Sequence, residues 1–412
     1  MSATKAGWPG SPLSLLWLLS LLYFAQGLPA GLLAKAMPAL ARDAGMSTQW
    51  IGLLALAALP WALKFIWAPW VDRLGCGQPN HRKRWMMGCI VGVLGVLLAT
   101  SLLPSEWLFV QGFAVLLALL FLMNLFSATQ DIATDGLATR MLSARLRGPG
   151  NSIQVGGYKV GLILGSGLLL ILVDVIGWQQ AVWLVMLALL LVLWKVSRFN
   201  EPVSALPPRQ AMTFGWWRQR LLGFWRHPGM GVWLIILLGY KVGDGFGSRM
   251  IKPFLIDMQL SLSEVGQLDI VSSLVGLGGA ALGGLLMIYM ARRTALVSFA
   301  LLHAVAFVGW AAMAHGAPMI WLWPVALFEQ LVDGMATVAL FVVMMDYCRK
   351  DQEGSDYTLQ ASIQLFAVGL FTLSSGFSVA AFGYGLHFTM AALMCGVVII
   401  ATLFWRPPVT TP

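Results

Sequence analysis

Ten charged side chains of this sequence sit inside stretches otherwise too apolar to meet water: Lys64, Asp131, Asp135, Lys159, Lys241, Asp244, Arg249, Asp269, Glu329 and Asp333. A charge at the centre of a bilayer costs at least ~2.5–3.5 kcal/mol on insertion scales, so each needs a partner or a wet cavity. Spacing shows which can cooperate. On a helix, Asp131 and Asp135 (i, i+4) share one face, as do Glu329 and Asp333, and Lys241 points the same way as Asp244 (i, i+3). Two carboxylates on one face repel, and burial disfavours their charged form, so one of each pair is expected to carry a proton near neutral pH. A carrier driven by a proton gradient requires that property, which makes Asp131, Asp135, Asp244, Glu329 and Asp333 the candidate coupling groups. For Asp135, Arg249 and Asp269, near helix ends, ion pairs stapling helices together are the favoured reading. Lys64, Asp131, Lys159, Lys241, Asp244 and Glu329 are expected around a water-filled central cavity.

Uncharged polar groups extend the set. Gln26 lies in Tyr23-Phe24-Ala25-Gln26-Gly27-Leu28-Pro29, where glycine and proline permit local unwinding. Tyr240 holds a comparable place in the second half. Gln130, Gln154, Tyr158, Gln330 and Gln364 add donors and acceptors, and Trp61 and Phe65 put aromatic surface beside Lys64. The candidate substrate contacts are therefore Tyr23, Gln26, Trp61, Lys64, Gln130, Gln154, Tyr158, Lys159, Tyr240, Lys241, Gln330 and Gln364. Bond-making chemistry is not indicated. There is no H-E-x-x-H, His81, His227, His303, His315 and His387 have no metal-ligand spacing, and the four cysteines form no C-x-x-C. No metal, cofactor or catalytic residue is expected, and the proton gradient supplies the energy.

The elements that must carry these groups are membrane helices. Of 412 residues, 59% are hydrophobic and 10% charged, against about 25% charged in an average soluble domain. The chain is thus an all-α polytopic membrane protein, and a soluble enzyme is excluded. Apolar runs long enough to span a bilayer lie near 13–38, 48–70, 85–104, 108–136, 151–174 and 176–196, then 230–255, 262–290, 294–314, 318–347, 356–381 and 384–405. With the N-terminus inside, 19 of the 26 Lys and Arg fall in inside segments, and only Lys35, Arg42 and Lys252 fall outside. The positive-inside rule then puts both termini in the cytoplasm. The net charge of +9 is largely this topology signal, with some attraction to anionic lipid headgroups.

The longest hydrophilic stretch, 197–229, carries Pro202, Pro207 and Pro208 and divides residues 1–196 from 230–412. Within it, Trp216, Trp217, Leu221, Leu222, Phe224 and Trp225 alternate with Arg218, Arg220 and Arg226, which reads as an interfacial amphipathic helix and not a nucleic-acid contact. The flanking halves echo each other. Asp135-Gly136-Leu137-Ala138-Thr139 recurs as Asp333-Gly334-Met335-Ala336-Thr337, and Ser152-Ile153-Gln154 as Ser362-Ile363-Gln364. Matches on equivalent helices argue for a duplicated six-helix unit, giving two bundles around a central cavity. Gly157, Gly161 and Gly165, with Gly279 and Gly283, mark close helix packing.

As a set, several motifs resemble the major facilitator superfamily, and within it the AmpG-type permeases, over nearly the whole chain. They are Lys64-Phe65-Ile66-Trp67-Ala68-Pro69 with Asp72-Arg73, Ser127-Ala128-Thr129-Gln130-Asp131-Ile132 with Asp135, Gly157-Tyr158-Lys159-Val160-Gly161, Tyr240-Lys241-Val242-Gly243-Asp244 and Phe328-Glu329-Gln330. Asp72-Arg73 followed by Arg82-Lys83-Arg84 is similar to the superfamily's gating loop, with a longer insertion. The resemblance implies a monomeric inner-membrane secondary transporter working by alternating access on a small molecule. AmpG proper imports anhydro-muropeptides and is a longer chain. In size this sequence is more like the siderophore permeases of the RhtX/FptX type, which carry rhizobactin or pyochelin. On that ground, and because the aromatic and cationic face of helix two suits a small aromatic acid, a siderophore is the expected cargo and a muropeptide the alternative. An efflux pump would carry the same signature. An ion channel would not require duplicated halves with matched acidic pairs.

Overall fold

A leucine-rich chain in lipid must satisfy its own backbone, and a helix does so within one segment. The computed structural model describes residues 11–37, 40–41, 53–202, 213–226, 229–260, 262–350 and 352–407, and all regular structure among them is helical. The first half supplies α1 (Pro12–Gly31), α3 (His81–Leu102), α4 (Phe113–Met141), α5 (Arg147–Ile176) and α6 (Trp178–Ser197), with short helices over 54–73 standing for α2. The second half supplies α7 (Met230–Asp257), α8 (Leu262–Tyr289), α9 (Arg292–Ala314) and α10 (Met319–Asp346). A last run, Glu353–Phe404, has 52 residues, about twice what a bilayer crossing takes. Gly383, at φ 73°, breaks it into α11 (353–382) and α12 (384–404). Large apolar side chains such as Ile320, Phe377 and Phe404 are about four-fifths exposed, as suits a surface whose solvent is hydrocarbon.

Three expectations about helix continuity change. The unwinding expected at Gln26–Pro29 is absent: α1 is helical through Pro29, and Leu32–Ala36 follows as a π turn. The preceding carbonyls simply remain inside a helix that neighbours support. The break occurs instead in α7, which splits into Met230–Gly239, Val242–Ser248 and Ile251–Asp257, with Lys241 at φ −108°, ψ 4°. The expected continuous second span is Leu54–Ala58, Leu59–Leu63, Lys64–Ile66 and Ala68–Arg73, alternating 3-10 and α. Pro60 and Pro69 each fall in the first turn of a new α segment, where a missing N–H costs nothing.

The residues cluster into two compact units. Unit 1 is Met1–Met141, Ile153–Arg220 and Arg349–Thr358; unit 2 is Leu142–Ser152, Leu221–Cys348 and Leu359–Pro412. In unit 1 the glycines of α5 meet α1 backbone to backbone: a Cβ on Gly161 would lie 2.2 Å from the Phe24 carbonyl oxygen, and one on Gly165 2.1 Å from that of Leu28. In unit 2 a Cβ on Gly279 of α8 would lie 2.0 Å from the Leu331 oxygen of α10. Both glycine series thus do the packing expected of them. The linker helix Phe214–Gly223 buries Trp216, leaves Phe214 exposed, and donates the Trp217 indole N–H to the Ile66 carbonyl at 2.6 Å. Pro207 and Pro208 lie outside the described residues.

Candidate functional site

In unit 1 each member of the first acidic pair has its own partner. Lys64, on the broken α2, bonds Asp131 of α4; both are buried, and the ammonium also lies 5.3 Å from the Trp61 ring centre. The Trp61 indole donates to Asn124 Oδ1 at 2.9 Å. One turn along α4, Asp135 is 1% exposed and accepts from the Tyr23 hydroxyl at 2.8 Å and from Gln154 Nε2 at 3.4 Å. Among the described residues Asp135 therefore holds no helix-end ion pair, contrary to expectation: it is buried in the unit and served by neutral donors. Lys64 and Asp131 likewise face each other more than a wet cavity.

Other expected groups of unit 1 remain available. Gln26 is 1% exposed with an Nε2 that makes no hydrogen bond among the described residues, and Gln154 Oε1 is also unmatched. Gln130 donates weakly to the Leu22 carbonyl at 3.4 Å. Tyr158 and Lys159 follow Gln154 on α5, half-buried, and Lys159 has no ion pair among the described residues. The expected gating residues lie at the end of α2. Asp72 accepts from the Ser355 N–H at 2.7 Å and hydroxyl at 2.6 Å, and Arg82 reaches Asp72 at 3.5 Å and Glu353 at 2.9 Å. Glu201 joins them by accepting from the Arg82 backbone at 2.7 Å. Arg73 closes the same short helix.

Unit 2 carries the second acidic set on the break in α7. Lys241 bridges Asp244 (2.7 Å) and Asp333, and Thr337 donates to Asp333 at 3.4 Å. Glu329, 2% exposed, accepts from its neighbour Gln330 at 3.0 Å. Tyr240 turns away and donates to the Leu296 carbonyl at 3.0 Å, so it is a packing residue in this structure. Gln364 is half-buried on α11, Arg249 is exposed, and Asp269 pairs with Lys252 at 2.9 Å, a helix-to-helix ion pair as expected but an exposed one. His303 on α9 is one of five histidines scattered along the sequence, and nothing in their spacing marks it. It is 1% exposed, with Nε2 3.3 Å from Asp244 Oδ1. Asp244, His303 and Glu329 bring their donor atoms within 4.8 Å of one another. Only the fold makes them neighbours, because each comes from a different helix.

The arrangement thus holds polar and charged groups inside two units built of helices long and apolar enough to cross a membrane. Residues 19–372 match the family described as Major Facilitator Superfamily. The anhydromuropeptide permease of Escherichia coli K12 is 28% identical over 395 residues, covering 93% of this chain and 78% of that one. A protein of Rickettsia bellii described as putative transporter AmpG 1 is 23% identical over 400 residues, covering 93% of this chain and 95% of that one. Among solved structures, the human organic anion transporter MFSD10 superposes with a TM-score of 0.71 at 16% identity, over 95% of this chain and all of that one.

Proposed function

From the fact that this chain belongs to the major facilitator superfamily, we propose that it is a permease of the bacterial inner membrane that imports anhydromuropeptides by alternating access, driven by the proton gradient. The observation carrying the cargo is the 28% identity with the Escherichia coli anhydromuropeptide permease over nearly all of this chain. The siderophore expectation rested on chain length, and length does not separate the two. A Rickettsia relative named AmpG is covered to 95% by this chain, so the name occurs at this size. The aromatic face of α2 is also less available to a cargo, since Trp61 is committed to Asn124 and to the Lys64 ammonium. Unit 1 instead offers an amide donor on Gln26, an acceptor on Gln154 and the Lys159 ammonium, none of them matched among the described residues. A ligand rich in hydroxyls, amides and carboxylates uses all three, at about 0.5–1.5 kcal/mol net for a neutral hydrogen bond and 1.5–3 for a charged one.

The test is uptake of radiolabelled anhydromuropeptide into cells lacking their own permease, beside labelled pyochelin. Muropeptide accumulation that collapses with the gradient is expected; accumulation of the siderophore alone would reverse the assignment. Asp131→Asn and Glu329→Gln should fold yet lose gradient-driven accumulation, and wild-type accumulation in both would make them structural. Both termini lie in the cytoplasm in this reading, which a reporter fused after Arg406 checks.

A further inference from the structure

We propose that His303 completes, with Glu329 and Asp244, a proton-binding site in unit 2, and that the proton exchanges between Glu329 Oε1 and His303 Nε2. The inference rests on the reading that transport is proton-driven, and it adds the residue and atoms that hold the proton. Buried polar atoms without a partner are rare and call for an explanation. Here two of them, Glu329 Oε1 and His303 Nε2, belong to side chains 2% and 1% exposed and make no hydrogen bond among the described residues. Their side chains belong to a cluster in which Glu329, His303 and Asp244 each bring a donor atom within 4.8 Å of the others. His303 Nε2 is 3.3 Å from Asp244 Oδ1 but off the line of a hydrogen bond. Its ring is held by stacking on Phe307 at 5.4 Å.

Charge decides what the vacant valences take. Lys241 is shared by Asp244 and Asp333. With Glu329 ionised and His303 neutral, three carboxylates would face one ammonium in apolar surroundings, which is unfavourable. The other ionisable group packed on the cluster is Cys395 on α12, whose sulfur abuts Gly243, while Tyr240 on α7 turns away to the Leu296 carbonyl. Neither is a cation. Between Asp269 and Tyr289 α8 contributes no ionisable group, and α11 none between Tyr357 and Gly383. A proton relieves the imbalance. A divalent ion would be placed against the Lys241 ammonium, 2.7 Å from the same Asp244 carboxylate. The transfer balances: the Glu329 O–H bond breaks, an N–H bond forms on His303, and carboxylic acid plus imidazole become carboxylate plus imidazolium, which then faces Asp244.

The experiment is infrared spectroscopy of the full chain in proteoliposomes, which needs no substrate. A carboxylic acid C=O band lost on raising pH should be absent in Glu329→Gln, and its midpoint should move by at least one pH unit in His303→Gln. An unmoved midpoint overturns the proposal. If His303→Gln does not fold, ¹⁵N-histidine spectra of the wild type should show one imidazole whose protonation midpoint changes in Glu329→Gln; none doing so overturns it too. Equimolar retention of Zn²⁺ on dialysis against the metal alone, lost in His303→Gln, would make the cluster a metal site and refute the proton reading. Should the band behave as expected while the wild type takes up no anhydromuropeptide, the proton site stands and the cargo assignment falls.

Discussion

Replacing Lys64 by methionine removes an ammonium that is 5% exposed from a carboxylate that is 6% exposed. Taking away one partner of a buried ion pair leaves the other charge uncompensated and costs about 3–5 kcal/mol. Within that loss lies the contact of the ammonium with the Trp61 ring at 5.3 Å, about 0.5–2 kcal/mol. Lys64→Met and Asp131→Leu should therefore each destabilise by roughly that 3–5 kcal/mol. The double variant, which buries no charge there, should return to within about 1–2 kcal/mol of wild type, because replacing a buried pair by apolar groups is often close to neutral. The assay is a double-mutant cycle on unfolding of the purified protein in mixed micelles, followed by uptake in proteoliposomes. The double variant should fold and still fail to accumulate substrate. Two single variants that each lose under about 1 kcal/mol and add up would refute the reasoning, for they would show that both groups face water, as the cavity reading expected.

Gly161→Ala should destabilise by about 1–3 kcal/mol, the scale of overpacking, because its Cβ would lie 2.2 Å from a carbonyl oxygen, while Gly156→Ala, with open space around it, should be neutral or better in the same thermal unfolding series. Tyr23→Phe leaves buried Asp135 with one weak donor and should lower stability by about 1–3 kcal/mol, measured by the same unfolding. Lys159→Gln should weaken binding of an anionic muropeptide by about 1–3 kcal/mol in calorimetry and leave a neutral ester of that ligand nearly unaffected. Gly383→Ala puts a side chain at φ 73°, a glycine-only region costing about 1–3 kcal/mol, and should lower the melting temperature.

Composition and periodicity decide that this chain is helical and spans a membrane, because hydrocarbon admits few alternatives for a backbone carrying so few charges. The charged residues that matter are legible for the same reason: in an apolar run each of Lys64, Asp131, Glu329 and Lys241 stands out. Glycine spacing on α5 and α8 also foretells close contacts, since a repeat of small residues has few other uses on an apolar face. What sequence does not carry is pairing between helices. Asp131 and Asp135 look like a coupled pair, yet Lys64 takes one and Tyr23 the other. Helix one holds the glycine and proline of an unwound segment, yet the break falls at Tyr240-Lys241 in α7, where packing against α10 brings Asp333 to the ammonium. His303 is mute in sequence, a lone histidine among alanines and phenylalanines. It gains a role only when α9 brings it beside Asp244 and Glu329, because electrostatic energy depends on distances in space that separation along the chain does not encode.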